Sequence, residues 1–410
     1  MSPSPTPQGA PAPARALEGL RVIDLSRVVA GPLCAQTLAD HGAHVIKVEP
    51  PIGDETRHLG PPFTEIGAAA YFGALNRGKH TISLDLTRPE AREVLLRLLQ
   101  DADVLVENLL PGTLEKWGLG FENDLAPKFP RLICCSISGF GRDGPLGGLP
   151  GYDAVLQAMC GLMSINGDKA SGPTRVGVPI VDLVTGHMAV GGILMALLAR
   201  ERSGRGQRVE ATLYDSAISL LVPQAVNWMH SGNTPGLLGS AHPSIAAYDR
   251  YRCADGDIFL GVVNDGQFRR FCEHVGLQHL LTDPGFANNA QRMKNRPALR
   301  ETIERTLSTR TRYPLCDELM ALGVPIGPVN SVPEAFALEH TRHRAMAVTG
   351  EGDYRGIGIP IKLSDTPGRP GTAPPAFAAD TDAILAAHGY DAAQREQLKT
   401  CGAVPERLPR

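Results

Sequence analysis

The sequence predicts an α/β fold: an open, parallel, Rossmann-like sheet with helices on both faces, joined to a smaller α+β domain. Two observations carry this. Strand-like runs alternate with helical ones from residue 17 to about residue 138, the pattern of a parallel sheet. Beyond about residue 205 the alternation gives way to a hairpin and then consecutive helices. At 410 residues the chain exceeds one typical domain.

In chain order, MSPSPTPQGAPAPARA (1–16) is rich in Pro, Ala and Ser and reads as a disordered tail, without the apolar core of a signal peptide or the repeated Arg of a transit peptide. LEGLRVIDLS (17–26) is a strand, the PLCAQTLADHG stretch a helix stopped by Gly42, and AHVIKVE a second strand, together a βαβ unit. HTISLDL (80–86), PEAREVLLRLLQDA (89–102, with Pro89 in its first turn), DVLVENL (103–109) and RLICCSIS (131–138) continue as strand, amphipathic helix, strand and strand. VEATLYDSAISLLVPQAVNWMHSG reads as one strand and a long helix leading out of the first domain. A hairpin around Asp255 and Gly256 follows (248–263), then helices near 266–275, 291–308 and 313–322. The Gly/Pro-rich segment 350–378 reads as a surface crossing before a final helix at TDAILAAHGY. The expected division is 17–225 for the large domain's first part, 226–335 for the small domain, and 336–410 as a return segment completing the large one.

Composition narrows the function. A net charge of −3 supplies no basic field for a nucleic-acid backbone, so small molecules are the expected partners. The eight cysteines show no Cys-x-x-Cys and no paired Cys/His spacing, so neither a metal site nor a disulfide framework is expected, and a reduced, cytoplasmic setting fits. The charge-free run Leu183 to Ala199 contains His187, Thr185 and three glycines, which suits a buried helix better than a membrane span. The first βαβ turn, SRVVAGP, lacks G-x-G-x-x-G, so Glu49 after the second strand is not accompanied by a dinucleotide-binding loop. No P-loop, G-x-S-x-G or H-E-x-x-H occurs.

Two stretches carry chemistry. In VGVPIVDLVTG (176–186) a lone carboxylate, Asp182, interrupts an apolar run. Burying it costs several kcal/mol unless it is paired, hydrogen-bonded or used, which leaves a helix cap, a buried ion pair or a reactive group. SGFGRDGPLGGLPGYD (138–153) follows a strand and is dense in Gly, so it presents backbone amides along a tight path suited to a ligand channel.

The successive pieces LEGLRVIDLSRVVAGP, GAHVIKVEPPIGDETR, YFGALNRGKHTISLDL, DVLVENLLPGTLEKWGLG, ISGFGRDGPLGGLPGYDAVLQAMCGLM, RERSGRGQRVEATLYDS and GVPIGPVN resemble the class III coenzyme A transferases, the family of formyl-CoA transferase and carnitine CoA-transferase. The resemblance runs from about residue 17 to the C-terminus. It implies acyl-CoA as a substrate, no metal, and an interlocked homodimer. It places the nucleophile at Asp182. It places contacts to CoA at Val29 and Ala30, at Leu84, Asp85, Leu86 and Thr87, at Asn108, Leu109, Leu110 and Lys116, and at Leu149, Pro150, Gly151, Tyr152 and Asp153.

Two departures bear on the reaction. Related α-methylacyl-CoA racemases carry G-H-D where this chain has Gly151-Tyr152-Asp153. A tyrosine with a pKa of about 10 is a poor base at neutral pH, which disfavours racemisation. The four-glycine run of formyl-CoA transferase is absent, and GSAHPSIAAY (239–248) resembles instead the corresponding stretch of enzymes using succinyl-CoA and a short dicarboxylate. His242 and Ser244 are therefore candidate ligands of the acceptor's distal carboxylate, with Arg57 or Arg175 adding charge, although a structural loop explains the stretch equally well. The resulting expectation is CoA transfer from succinyl-CoA to itaconate, mesaconate, malate or glutarate; a racemase and a formate- or oxalate-type transferase are the alternatives.

Overall fold

Six short strands rich in Val, Ile and Leu form a wholly parallel sheet: β1 Arg21–Asp24, β2 His44–Glu49, β3 Lys79–Ser83, β4 Val104–Glu107, β5 Ile133–Ser138 and β6 Arg208–Thr212, in the order β3-β2-β1-β4-β5-β6. The computed structural model describes residues 14–350 and 352–409, so most of the tail expected over residues 1–16 lies outside the described residues. The central strands β1, β4 and β5 read as near-continuous apolar runs because both faces of the sheet are covered there, whereas the edge strands β3 (KHTIS) and β6 (RVEAT) are more polar. Successive side chains point to opposite faces, so Val22 and Val104 join one core while Ile23 and Leu105 join another.

Helices α1 (Ala30–Asp40) and α4 (Ile180–Ser203) build the first core. Helix α2 (Pro89–Leu98) and the helices Thr381–Ala387 and Ala392–Thr400 build the second, so the C-terminal segment closes the sheet that the N-terminal half begins. Helix α4 is long and apolar enough to cross a membrane by length and composition. Its Val181, Thr185, Ala189, Ile193, Ala196 and Arg200 nonetheless form a buried stripe at helical spacing against the sheet and α1. Gly186 permits the crossing, since a Cβ there would lie 2.7 Å from the Ala30 carbonyl oxygen. All eight cysteines are free.

The chain divides into two units: residues 1–160, 177–222 and 339–410 form the first, and residues 161–176 and 223–338 the second. The second has its own core, including Phe268, Phe271, Ile303 and Leu315, around a three-stranded antiparallel sheet of Tyr248–Cys253, Gly256–Gly261 and Ile326–Pro328. Three readings need correction. Residues 161–176, assigned from sequence to the large domain, belong to the smaller unit. The long helix expected after β6 is two helices, Leu213–Ser219 and Gln224–Ser231, because Pro223 lacks the N–H that a continuous helix requires. The helix Ala392–Thr400 was not anticipated, although Asp391 and Gln394 form its capping box.

Candidate active site

A strand order of 3-2-1-4-5-6 reverses between β1 and β4, the point at which an open α/β sheet forms a crevice at its carboxyl edge. The cleft there is lined by Arg27–Ala30 after β1, Asn108–Pro111 after β4, Ile137–Gly139 at the end of β5, Leu149–Tyr152 from the glycine-rich loop, Glu55, Leu213 and Asp182. Of the residues implied by the resemblance, Val29, Ala30, Asn108, Leu109, Leu110, Leu149, Pro150, Gly151, Tyr152 and Asp182 therefore line one cavity.

The β1 and β4 turns are stapled together. The Asn108 side chain accepts from the Arg27 N–H (2.8 Å) and donates to the Arg27 carbonyl (2.7 Å). Beyond the staple, Val28 takes φ 70°, a left-handed conformation that is strained for a β-branched residue. The Val28 N–H donates to Asp54 Oδ1 at 3.3 Å. Beneath the turns lie buried ion pairs, Lys47 with Asp54 and Lys79 with Asp24, each at 2.9 Å. Burial works against the charge on Asp54, yet Lys47 and the hydrogen bonds from Thr56 hold its carboxyl down at about 2, whereas burial pushes Lys79 down to about 8. These pairs fix the floor on which the β1 turn rests.

On the opposite wall, Gly139 and Gly151 pass in backbone contact: a Cβ on Gly139 would meet the Gly151 nitrogen at 2.7 Å. This brings the end of β5 against the start of α3 (Asp153–Met159). Asp153 is buried and caps not its own helix but α4, accepting from the N–H groups of Val181 (2.7 Å) and Asp182 (3.2 Å), with Gln157 Nε2 donating to its other oxygen at 2.6 Å. The carboxylate implied as a CoA contact is therefore occupied with helix amides. It also answers the question raised by Asp182, which lies in the first turn of α4 but is not the cap. Burial, and then the charge of Asp153, push the Asp182 carboxyl up to about 7. The helix terminus favours an anion there, but its amides are taken by Asp153 and desolvation prevails.

A second cleft, sharing Arg27 and Leu109 with the first, is lined by Val48–Pro51, Leu84–Thr87, Leu25 and Trp117. It gathers Leu84, Asp85, Leu86 and Thr87, with Asp85 folded back to accept from the Thr87 N–H and hydroxyl. Lys116 is exposed at the end of a short helix and lines neither cleft.

Arg57 is corrected outright. Its guanidinium is buried, paired through two bonds with Glu49 (2.7 and 2.6 Å) and stacked 3.7 Å over Phe72, so it offers no charge to a substrate, and Glu49 offers none to a ribose. His242, Ser244 and Arg175 belong to the second unit. There His242 packs edge-on against Tyr248, its Nδ1 accepts from the Ser244 N–H at 3.0 Å, and Asn289 Nδ2 donates to the Ser244 carbonyl. Sequence reasoning missed Arg27, Glu55 and Tyr71. The phenol of Tyr71 is pushed up by its burial and by the charges of Asp182 and Asp153, which marks it as their neighbour. All three lie within pieces that carried the resemblance, but their residue types alone marked no site. Among the described residues no cluster of three or more His, Cys, Asp or Glu is placed to hold a metal.

The model of CoA-transferase family III matches residues 17–381, and the chain belongs to that family. It is similar to the succinate–glutarate CoA-transferase of Agrobacterium fabrum, 41% identical over 86% of this chain and 90% of that one. It is likewise similar to the succinyl-CoA:mesaconate CoA-transferase of Haloarcula hispanica, 38% identical over 87% of this chain and 92% of that one. A crystal structure of a CaiB/BaiF family protein from Brucella suis superposes with a TM-score of 0.84 and 40% identity, covering 92% of this chain and all of that one. The protein is a class III CoA-transferase.

Proposed function

We propose that the enzyme moves CoA from succinyl-CoA to a short dicarboxylic acid of the glutarate, mesaconate, itaconate or malate type through a thioester on Asp182. The observation that carries this reading is a carboxyl group with no cationic partner among the described residues, lining the cleft at the sheet's switch point. The names of the relatives at 41% and 38% identity support the substrate class.

The steps follow from what a carboxylate does to a thioester. The Asp182 carboxylate attacks the succinyl carbonyl and expels CoA thiolate, leaving a mixed anhydride. The thiolate attacks the Asp182 carbonyl, forms the aspartyl-CoA thioester and releases succinate. The acceptor carboxylate then attacks that thioester and expels the thiolate, which takes the acceptor's acyl carbon and restores Asp182. Each step exchanges an acyl group of similar energy, so no thioester is lost provided water is excluded. The developing oxyanions need N–H donors already in place, and the backbone around Val29 and Ala30 and the Gly139–Gly151 wall are suited to that. His242 and Ser244 are retained as candidate acceptor ligands, and the second cleft as the seat of the CoA nucleotide.

An interlocked homodimer belongs to the same proposal. It is supported by Met195 and Leu198 on α4, each 68% exposed, and by the helix Gln224–Ser231, which buries none of its residues within this chain. A cytoplasmic setting is supported by the free cysteines. The test of the chemistry is to incubate the enzyme with succinyl-CoA, trap with hydroxylamine or borohydride, and map the peptides. An adduct on Asp182 is expected; full transfer activity in Asp182→Asn would overturn the scheme. A panel of carboxylate acceptors then identifies the substrate.

A further inference from the structure

We propose that Arg27 is the phosphate-binding residue of the CoA site, and that it exchanges Glu55 for a phosphate of the incoming ligand. The inference rests on the CoA-transferase reading above and adds a residue that the resemblance does not single out. Three observations support it.

Charge is the first. CoA brings a diphosphate and a phosphate monoester, yet among the described residues Arg27 is the single cation lining either cleft, and it lines both. The other charged residues there, Glu49, Glu55, Asp85 and Asp182, are acidic. A polyanion threading from one cleft to the other passes this one guanidinium.

The second is anchorage. The Arg27 backbone is held on both its N–H and its carbonyl by Asn108, and the chain turns sharply at Val28 immediately after. The Cα is thus fixed at the junction of the clefts, and only the side chain is left to swing.

The third is the weakness of the present partnership. Arg27 Nη1 meets Glu55 Oε1 at 2.8 Å, with the side chains 30% and 46% exposed. A pair this open is screened by water and easily replaced. A phosphate offers a guanidinium two parallel charge-assisted bonds and more negative charge than one carboxylate. Glu55 keeps the guanidinium oriented toward the cleft while the site is empty and competes with the ligand for it. The buried Arg57–Glu49 pair only two residues further on shows the contrast: 2% and 1% exposed, it is not available for exchange.

The test is calorimetric titration with CoA and, separately, with pantetheine, which has the same thiol arm and no phosphate. Arg27→Ala is expected to weaken CoA binding by about 10- to 100-fold, the value of one or two charge-assisted bonds, and to leave pantetheine binding unchanged. Glu55→Gln is expected to tighten CoA binding by removing the competitor, and it guards against a folding defect in the first variant. Equal weakening for both ligands, undiminished CoA binding by Arg27→Ala, or weaker CoA binding by Glu55→Gln would overturn the proposal. Arg27-dependent CoA binding without an adduct on Asp182 would instead overturn the aspartyl thioester and leave the role of Arg27 standing.

Discussion

The proposed chemistry asks Asp182 to be a nucleophile in a position that resists its charge. Its folded pKa is raised from 3.8 to about 7, so the protonated form is favoured by the fold. The stability this confers is fully present below the unfolded pKa and is lost as pH rises through the folded one. Replacing Asp182 by Asn removes the cost of ionisation: thermal unfolding at pH 8 should show a gain of about 1–3 kcal/mol that disappears near pH 4. Transfer activity should fall by about 10³-fold or more. In the native enzyme, kcat/KM should rise with pH through an apparent pKa near 7 as the carboxylate forms. Asp153→Asn retains a capping oxygen but removes the neighbouring negative charge, so that limb should move toward lower pH while stability drops by no more than about 1 kcal/mol. Of these relations only the lone carboxylate was legible in the sequence. That Asp153 caps a helix beginning 27 residues later depends on the loop between them turning back, and no local pattern encodes that return. Arg57 failed as a substrate ligand because Glu49, Phe72 and, from far along the chain, the Pro375 carbonyl converge on its guanidinium only in the fold.

Elements were more legible than contacts because hydrophobic periodicity is local. All six strands of the large sheet fall where runs of Val, Ile and Leu or a β-branched stretch placed them, and α2 begins at Pro89, as the proline indicated. What escaped were interruptions and ends, such as the break at Pro223 and the helix begun by the Asp391 capping box, where one residue outweighs the periodic signal. The glycine-rich loop was recognised as a channel wall from composition, but the reason for its glycines is an approach of two backbones. A Cβ on Gly139 would meet the Gly151 nitrogen and Cα at 2.7 and 2.8 Å. Gly139→Ala must push these segments apart, widening the wall between β5 and α3. It is expected to cost about 1–3 kcal/mol in chemical denaturation and to raise KM for the acyl-CoA, because the wall belongs to the cleft that holds Asp182. A variant with unchanged KM and stability would show that the loop relaxes freely.

At the scale of the molecule, the exposed apolar residues of α4 predict association. Met195→Lys, on the outward face of that helix, should shift sedimentation-velocity profiles from dimer toward monomer and lower activity in parallel, whereas a wild-type protein that is monomeric at micromolar concentration would refute the homodimer. The smaller unit takes in residues 223–338, against the 226–335 expected, and also 161–176, where a short excursion leaves the large unit and returns without any change in character. Those crossings, with the late return of the C-terminal segment, have a consequence for biosynthesis. Residues delivered first by the ribosome are completed last: the Thr81 N–H of β3 waits for Asp380, 299 residues downstream, and Arg57 for the Pro375 carbonyl. At roughly 5–20 residues per second, that partner emerges about 15–60 s later. In the interval residues 223–338 have already left the exit tunnel, while Ile82 of β3 still lacks the helix Thr381–Ala387 that packs against its strand. The nascent protein therefore carries a finished small unit and an open apolar sheet face together, a state that calls for chaperone protection until the last forty or so residues arrive.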